Sequence, residues 1–341
     1  MSTSTAAEAR QGAAPDPAGP RRGGPALGLD LRLGALLGVL VAICVVGWAT
    51  SDLFLTGSNI STVLRAAAAI GVVSIGMTFV IIGGGIDLSV GSLVALCSVW
   101  MTTVATQSYG PFVMVLAAVL VGVGFGAVNG LLVSYGRVVP FIATLAMFVS
   151  ARGLAERISG RRTQVVTQTG YSDFFRGDLL GIPVLVWMFA VVFAAGWVLL
   201  NRTTFGRRTL AVGGNEEAAR LAGIDVKRHT VLLYALSGLC CAIGAMMVVA
   251  RTTSGASTNG FGYELDAIAA VVIGGTLLSG GRGSLVGTVV GVLIFTVVRN
   301  VFTLNNLETD VQNIAQGVII VAAVLIQART GPRRRRTVAR T

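Results

Sequence analysis

The chain consists of apolar stretches of about twenty residues repeated almost end to end, the length a helix needs to cross a bilayer. The first runs from Leu33 to Thr50, and others follow at about 60–82, 88–107, 112–134, 139–155, 183–201, 230–250, 264–281, 284–303 and 311–328. With 54% hydrophobic and 12% charged residues, the chain carries about half the charge a soluble domain needs. The fold class read from this is all-α, a polytopic membrane protein with about ten transmembrane helices. Segments 88–107 and 264–281 are the weakest as full spans. Forty-five glycines in such a chain point to helices packed closely through small residues.

The net charge of +11 does not indicate nucleic acid as a partner, because no compact soluble domain presents a basic face. The basic residues lie mainly between apolar stretches and at the termini. With both termini cytoplasmic, the inner pieces are the N-terminal tail, 135–138, 201–229, 280–283 and the C-terminal tail, and they hold most of the arginines, as the positive-inside rule requires. Loop 156–182 is the awkward one, placing Arg157, Arg161, Arg162 and Arg176 outside. Residues 1–30, rich in Ala, Gly, Pro and Arg, read as a disordered cytoplasmic tail. Residues 31–328 read as the transmembrane domain, and 329–341 as a basic cytoplasmic tail. Arg333 to Arg336 fit an anchor to anionic membrane lipid better than a nuclear signal. The first stretch reads as an uncleaved helix, because many spans follow it and no small-residue cleavage site ends it. Cys44, Cys97, Cys240 and Cys241 all fall in apolar segments without metal-site spacing, so they read as buried small residues.

One long segment, 202–229, is too charged for the bilayer. Its middle reads as a short helix: Asn215 is a good N-cap, Glu216 and Glu217 put negative charge in the first turn, and Gly223 can adopt the left-handed conformation that stops it. Glu216 and Arg220 stand four apart and can pair. Ala218, Ala219 and Ala222 are small and Leu221 gives one apolar knob, so close docking against another protein is feasible. An amphipathic loop helix without a partner fits the pattern as well. The run "GGNEEAARLAGIDVKR", followed by "LLYALSGLCCAIGAMM", closely resembles the coupling segment of ribose-type permeases, the membrane subunits of ABC importers for monosaccharides. The resemblance implies that Gly213, Gly214, Asn215, Glu216, Glu217, Ala218, Ala219, Arg220, Leu221, Ala222, Gly223 and Ile224 dock into a cleft of an ATP-binding subunit.

Other stretches resemble the same family in the expected order, so that the likeness spans about 50–328. "GGGIDLSVGSLVAL" breaks helical structure with Gly83, Gly84 and Gly85 and carries Asp87 and Ser89. An acid there faces protein or water; a structural role, capping the next helix or bonding freed backbone donors, is favoured over contact with a solute. "GYELDAIAAVVIGGT" places Glu264 and Asp266 at an outer mouth, either as docking points for a binding protein or as acids at a helix N-terminus. Their spacing does not make a glycosidase pair, since nothing encloses a sugar ring between them. Phe141, Thr144 and Met147 share a helical face suited to a sugar, and core packing explains them equally well. Asn129 and Gln316 are intramembrane amides, more often interhelical glue than ligands.

Absences bear on the enzyme question. No Gly-x-x-x-x-Gly-Lys-Ser/Thr loop exists, and Lys227, the only lysine, follows no glycine loop, so the chain is not itself a P-loop ATPase. His229, the only histidine, has no ligand set around it, so no metal, cofactor or Ser-His-Asp site is expected. The resemblance implies a permease subunit in the plasma (inner) membrane, acting as a homodimer with two ATP-binding subunits and an extracytoplasmic sugar-binding protein. Alternatives are an ABC permease for nucleosides or another small polar solute, and an ion-coupled secondary transporter.

Overall fold

The computed structural model describes residues 26–330; the proposed tails, including Arg333 to Arg336, lie outside or almost wholly outside them. The helices are α1 (Ala26–Thr50), α2 (Gly57–Ile82), α3 (Val90–Met101), α4 (Val104–Gln107), α5 (Pro111–Ser134), α6 (Pro140–Ser159) and α7 (Thr169–Arg176). They continue with α8 (Val184–Arg202), α9 (Thr204–Gly214), α10 (Glu216–Leu221), α11 (Val226–Thr252), α12 (Tyr263–Ile273), α13 (Leu285–Leu304) and α14 (Thr309–Thr330). Four two-residue strands complete the set among the described residues: β1 (Gln164–Val165) pairs antiparallel with β4 (Ser254–Gly255), and β2 (Asp178–Leu179) with β3 (Ile182–Pro183). The protein is helical throughout its bundle, as its apolar stretches require.

Among the described residues, six helices are long and apolar enough to cross a membrane: α1 from Leu33, α2, α5, α8, α11 and α13. α6 and α14 have the length, 20 and 22 residues. The two weakest spans of the sequence reading are corrected. Stretch 88–107 breaks at Thr102–Thr103 into the 12-residue α3 and the short α4. Stretch 264–281 is an 11-residue helix, about 16 Å long, followed by a glycine-rich turn in which Gly275, Gly280 and Gly281 take positive φ. Apolar composition alone does not reveal these breaks, because both segments are enclosed by other helices and their backbone groups find partners within the protein.

α2 and α11 form the interior, with Ala67 to Ile82 buried continuously on α2. α11 lies along α5 at backbone distance. Gly122, Gly126 and Gly130 of α5 face Gly238, Tyr234 and Val231 of α11 so closely that a Cβ at any of the three would meet α11 backbone. This is the small-residue packing expected of the glycine content. α1 lies at the margin against α13, sharing a small cluster of Phe54, Val297 and Val301. The end of the bundle carrying α9 and α10 is designated the lower end. At the upper end, the longest loop is capped by α7, whose buried Tyr171 donates to the Met246 carbonyl at 2.6 Å.

Candidate functional site

The charged segment folds into two helices at the lower end. Thr203 caps α9, which ends at Gly214, so Gly213 and Gly214 belong to its last turn and not to the next helix. Asn215 is extended (φ −161°), and its side chain accepts from Ala218 N at 3.0 Å. Glu216 and Glu217 occupy the first turn of α10, and Gly223 (φ +82°) closes it, with Ile224 N donating to the Ala219 carbonyl. Cap, first turn and stop fall where the sequence places them. The ion pair differs: Arg220 binds Glu217, three residues away, at 2.6 Å, not Glu216. Glu216 instead lines a cavity of 460 Å³ with Arg137, Lys227 and Tyr234. The hydrogen bond and charge of Glu217 raise the Arg220 pKa above its ordinary value. Ala219 is buried, while Leu221 is 79% exposed. His229 is buried one turn into α11, bonded to the Thr209 hydroxyl at 2.9 Å and packed on Phe205.

Gly213 joins this segment to the membrane core. A Cβ there would collide with the Ile82 carbonyl oxygen at the end of α2 and lie 2.7 Å from Gly281 N. Gly281 N itself donates to the Ile82 carbonyl at 2.8 Å. Gly84 and Gly280, both at positive φ, complete the contact. Three backbone segments thus meet without intervening side chains.

Immediately above lies Asp87, fully buried. Its Oδ1 accepts from Ser89 N at 3.0 Å and Ser89 Oγ at 2.5 Å, and its Oδ2 from Ser237 Oγ at 2.9 Å. Asn129 Nδ2 donates to Ser89 Oγ at 2.8 Å. Thr144 Oγ1 donates to the Ile86 carbonyl at 3.2 Å, as does Tyr234 at 3.4 Å. The unwound segment between α2 and α3 is thereby held from α5, α6 and α11. Asp87 does not cap α3, whose N-cap is Ser89 without a side-chain cap bond; it takes the other structural role expected of it, bonding the freed Ser89 N–H, and Asn129, Ser89 and Thr144 belong to the same cluster. Phe141 does not: it is 50% exposed on the bundle surface, whereas Met147 is buried.

Glu264 and Asp266 sit in the first turn of α12, which begins inside the bundle. Asp266 is buried and bonds Arg299 through both oxygens, at 3.1 and 3.2 Å, and Gln316 as well. Its carboxylate is therefore engaged between α12, α13 and α14 rather than presented at an outer mouth. Glu264 lies against Gly91 at the start of α3. Sequence reasoning missed Arg299 and Arg152, two arginines inside apolar spans. The signal was available: an ionised side chain in such a stretch needs a partner in the interior.

The family described as branched-chain amino acid transport system / permease component matches residues 59–324. The chain is 41% identical to the ribose import permease protein of Bacillus subtilis (strain 168) over 301 residues, covering 88% of this chain and 93% of the relative. It is 40% identical to the ribose import permease protein of Escherichia coli (strain K12) over 296 residues, 86% and 92% of the two chains. It is also 36% identical to the L-arabinose ABC transporter permease protein of Azospirillum brasilense over 304 residues, 89% of each. No solved structure matches.

Proposed function

Since the chain belongs to the branched-chain amino acid transport system / permease component family, a family of multi-pass membrane transport subunits, we propose that it is the permease subunit of an ATP-driven importer for a monosaccharide. The observation that carries the reading is the similarity to ribose and arabinose permeases over nearly nine-tenths of the chain. On this reading α10 is the coupling helix, and Leu221 with Glu217 and Arg220 enters a cleft of a separate ATP-binding subunit. Two copies of the permease enclose the path, and a sugar-binding protein delivers the solute to the upper end. Closure of the ATP-binding subunits moves α10, and the contact at Gly213 passes that movement to α2 and to turn 280–283. The bundle then alternates between lower and upper openings.

The test is uptake of a labelled panel of pentoses, hexoses and nucleosides in cells with and without this gene. Loss of one monosaccharide is the expected result. Loss confined to nucleosides would replace the substrate class, and unchanged uptake throughout would overturn the reading.

A further inference from the structure

The long upper loop ends in a small hairpin to which the transport role assigns nothing. Strands β2 and β3 pair Asp178 with Pro183 and Leu179 with Ile182, and directly opposed residues of an antiparallel pair share a face. One face looks into the bundle: Pro183 is buried, and Asp178 pairs with Arg65 of α2 at 2.7 Å. Arg65 also donates to the Arg176 carbonyl at 3.1 Å, just before the hairpin. The other face holds Leu179 and Ile182, both exposed. The two-residue turn between the strands is Leu180–Gly181, with φ of +56° and +74°. A turn of this kind suits Asn or Gly at its first position, and a leucine there is strained. The Leu180 side chain is 85% exposed, so little packing within the chain offsets that strain.

The span that follows fixes the height of this hairpin. α8 starts at Val184, directly after β3, and has 19 residues ending at Arg202. Its length, about 28 Å, does not exceed the roughly 30 Å apolar layer of a bilayer. With the Arg202 charge at the lower boundary, Val184 lies at the upper one, and any tilt lowers it further. Leu180 is three residues before Pro183, so its backbone lies within about 10 Å of that boundary, at head-group depth. The Trp187 indole N–H, in the first turn of α8, donates to the Leu179 carbonyl at 3.1 Å and holds the hairpin beside the span. Tryptophan is enriched at this level of a membrane. From there Trp187, Val191, Ala194 and Val198 form one exposed apolar stripe at i, i+4, i+7 and i+11. Through the Trp187 bond the outer face of the hairpin adjoins the top of that stripe. Exposed Arg176, whose carbonyl Arg65 holds, offers a cation to lipid phosphate beside it.

We propose that the β2–β3 hairpin is an interfacial membrane anchor, with Leu179, Leu180 and Ile182 seated in the head-group and upper acyl region of the leaflet at the upper end. Because Asp178 pairs with Arg65, the anchor ties the upper part of α2 to that leaflet. The inference rests on the chain's crossing of the membrane and is independent of which solute it carries.

The test uses the full chain in vesicles of phosphatidylethanolamine and phosphatidylglycerol. A single nitroxide is placed on Leu180→Cys, on Leu179→Cys or, as a loop control, on Thr163→Cys, each in a Cys44→Ser background, since the other native cysteines are buried. Collisional relaxation by oxygen, which concentrates in lipid, is compared with relaxation by a water-soluble nickel chelate. Oxygen should dominate at 179 and 180, and nickel at 163, which is exposed. Leu180→Asn should fold like wild type, since asparagine tolerates the positive φ, yet should shift the label at 179 towards nickel. Nickel dominating at 180 as it does at 163 would overturn the anchor. So would shielding of 179 and 180 from both reagents, which would mean that a second copy or another protein covers the face. An unshifted label at 179 in Leu180→Asn would overturn the role given to Leu180.

Discussion

Replacing Asp87 by alanine removes the acceptor for three hydrogen bonds in a fully buried place. The Ser89 N–H is fixed by the start of α3 and cannot turn elsewhere, so it becomes a buried orphan donor at about 1–3 kcal/mol. The hydroxyls of Ser89 and Ser237 can rotate, and each loses an interaction of about 0.6 kcal/mol, the size measured inside membrane bundles. The total for Asp87→Ala is about 2–4 kcal/mol. Asparagine differs in a way the geometry makes clear. Its Oδ1 keeps both Ser89 bonds, and its amide can donate to the Ser237 oxygen, which has lone pairs to spare. Asp87→Asn should therefore cost about 1 kcal/mol or less. Thermal melting of the purified variants in detergent, followed by size-exclusion chromatography, measures both. The expected order is wild type close to Asp87→Asn, with Asp87→Ala clearly lower. If the asparagine variant melts as early as the alanine variant, charge rather than acceptor geometry holds the segment. That outcome, or a wild-type melt for Asp87→Ala, refutes the reasoning.

Other outcomes follow from the same contacts. Replacing Glu217 and Leu221 together by arginine should abolish uptake while membrane insertion, read by fractionation, stays normal; normal uptake would remove α10 from the coupling role. Gly213→Ala should lower the number of solute molecules imported per ATP hydrolysed, because the added Cβ displaces Ile82 and Gly281; an unchanged transport ratio would show that force passes elsewhere. Asp266→Ala should destabilise the bundle by about 1–3 kcal/mol, because the half-exposed Arg299 guanidinium loses both its bonds to the carboxylate. Adding Arg299→Leu should recover much of that loss, and a melting series of the single and double variants decides it.

The sequence made the lower-end helix legible to single residues because caps and stops are local: Asn215 and Gly223 act on backbone groups three or four residues away. The role of Asp87 in bonding a freed backbone donor was legible for the same reason, since its main partner is Ser89. What stayed hidden depends on contacts distant in the chain. The partner of Asp266 lies 33 residues on, at Arg299, and no local pattern joins them. Arg220 pairs with Glu217, three residues back, while Glu216 faces the adjoining cavity, a difference the i, i+4 pattern alone does not show. The half-length of α3 and α12 was concealed by their composition, as apolar as that of a full span. Phe141 matched a helical face but not a buried one, because its periodicity is shared by any surface that faces lipid or a second chain.

The meeting of Gly213 with Ile82 and Gly281 has a mechanical consequence. A contact made by side chains has play in it, because rotamers shift and absorb small displacements before anything behind them moves. Backbone against backbone has no such slack. A displacement of α9 far smaller than a side chain's length must be taken up by rotation of α2, by the turn at 280–283, or by rupture of the hydrogen bond between Gly281 and Ile82. The joint is thus a stiff linkage with little lost motion, and under the proposed coupling role it would turn a small stroke at the surface into useful work in the interior.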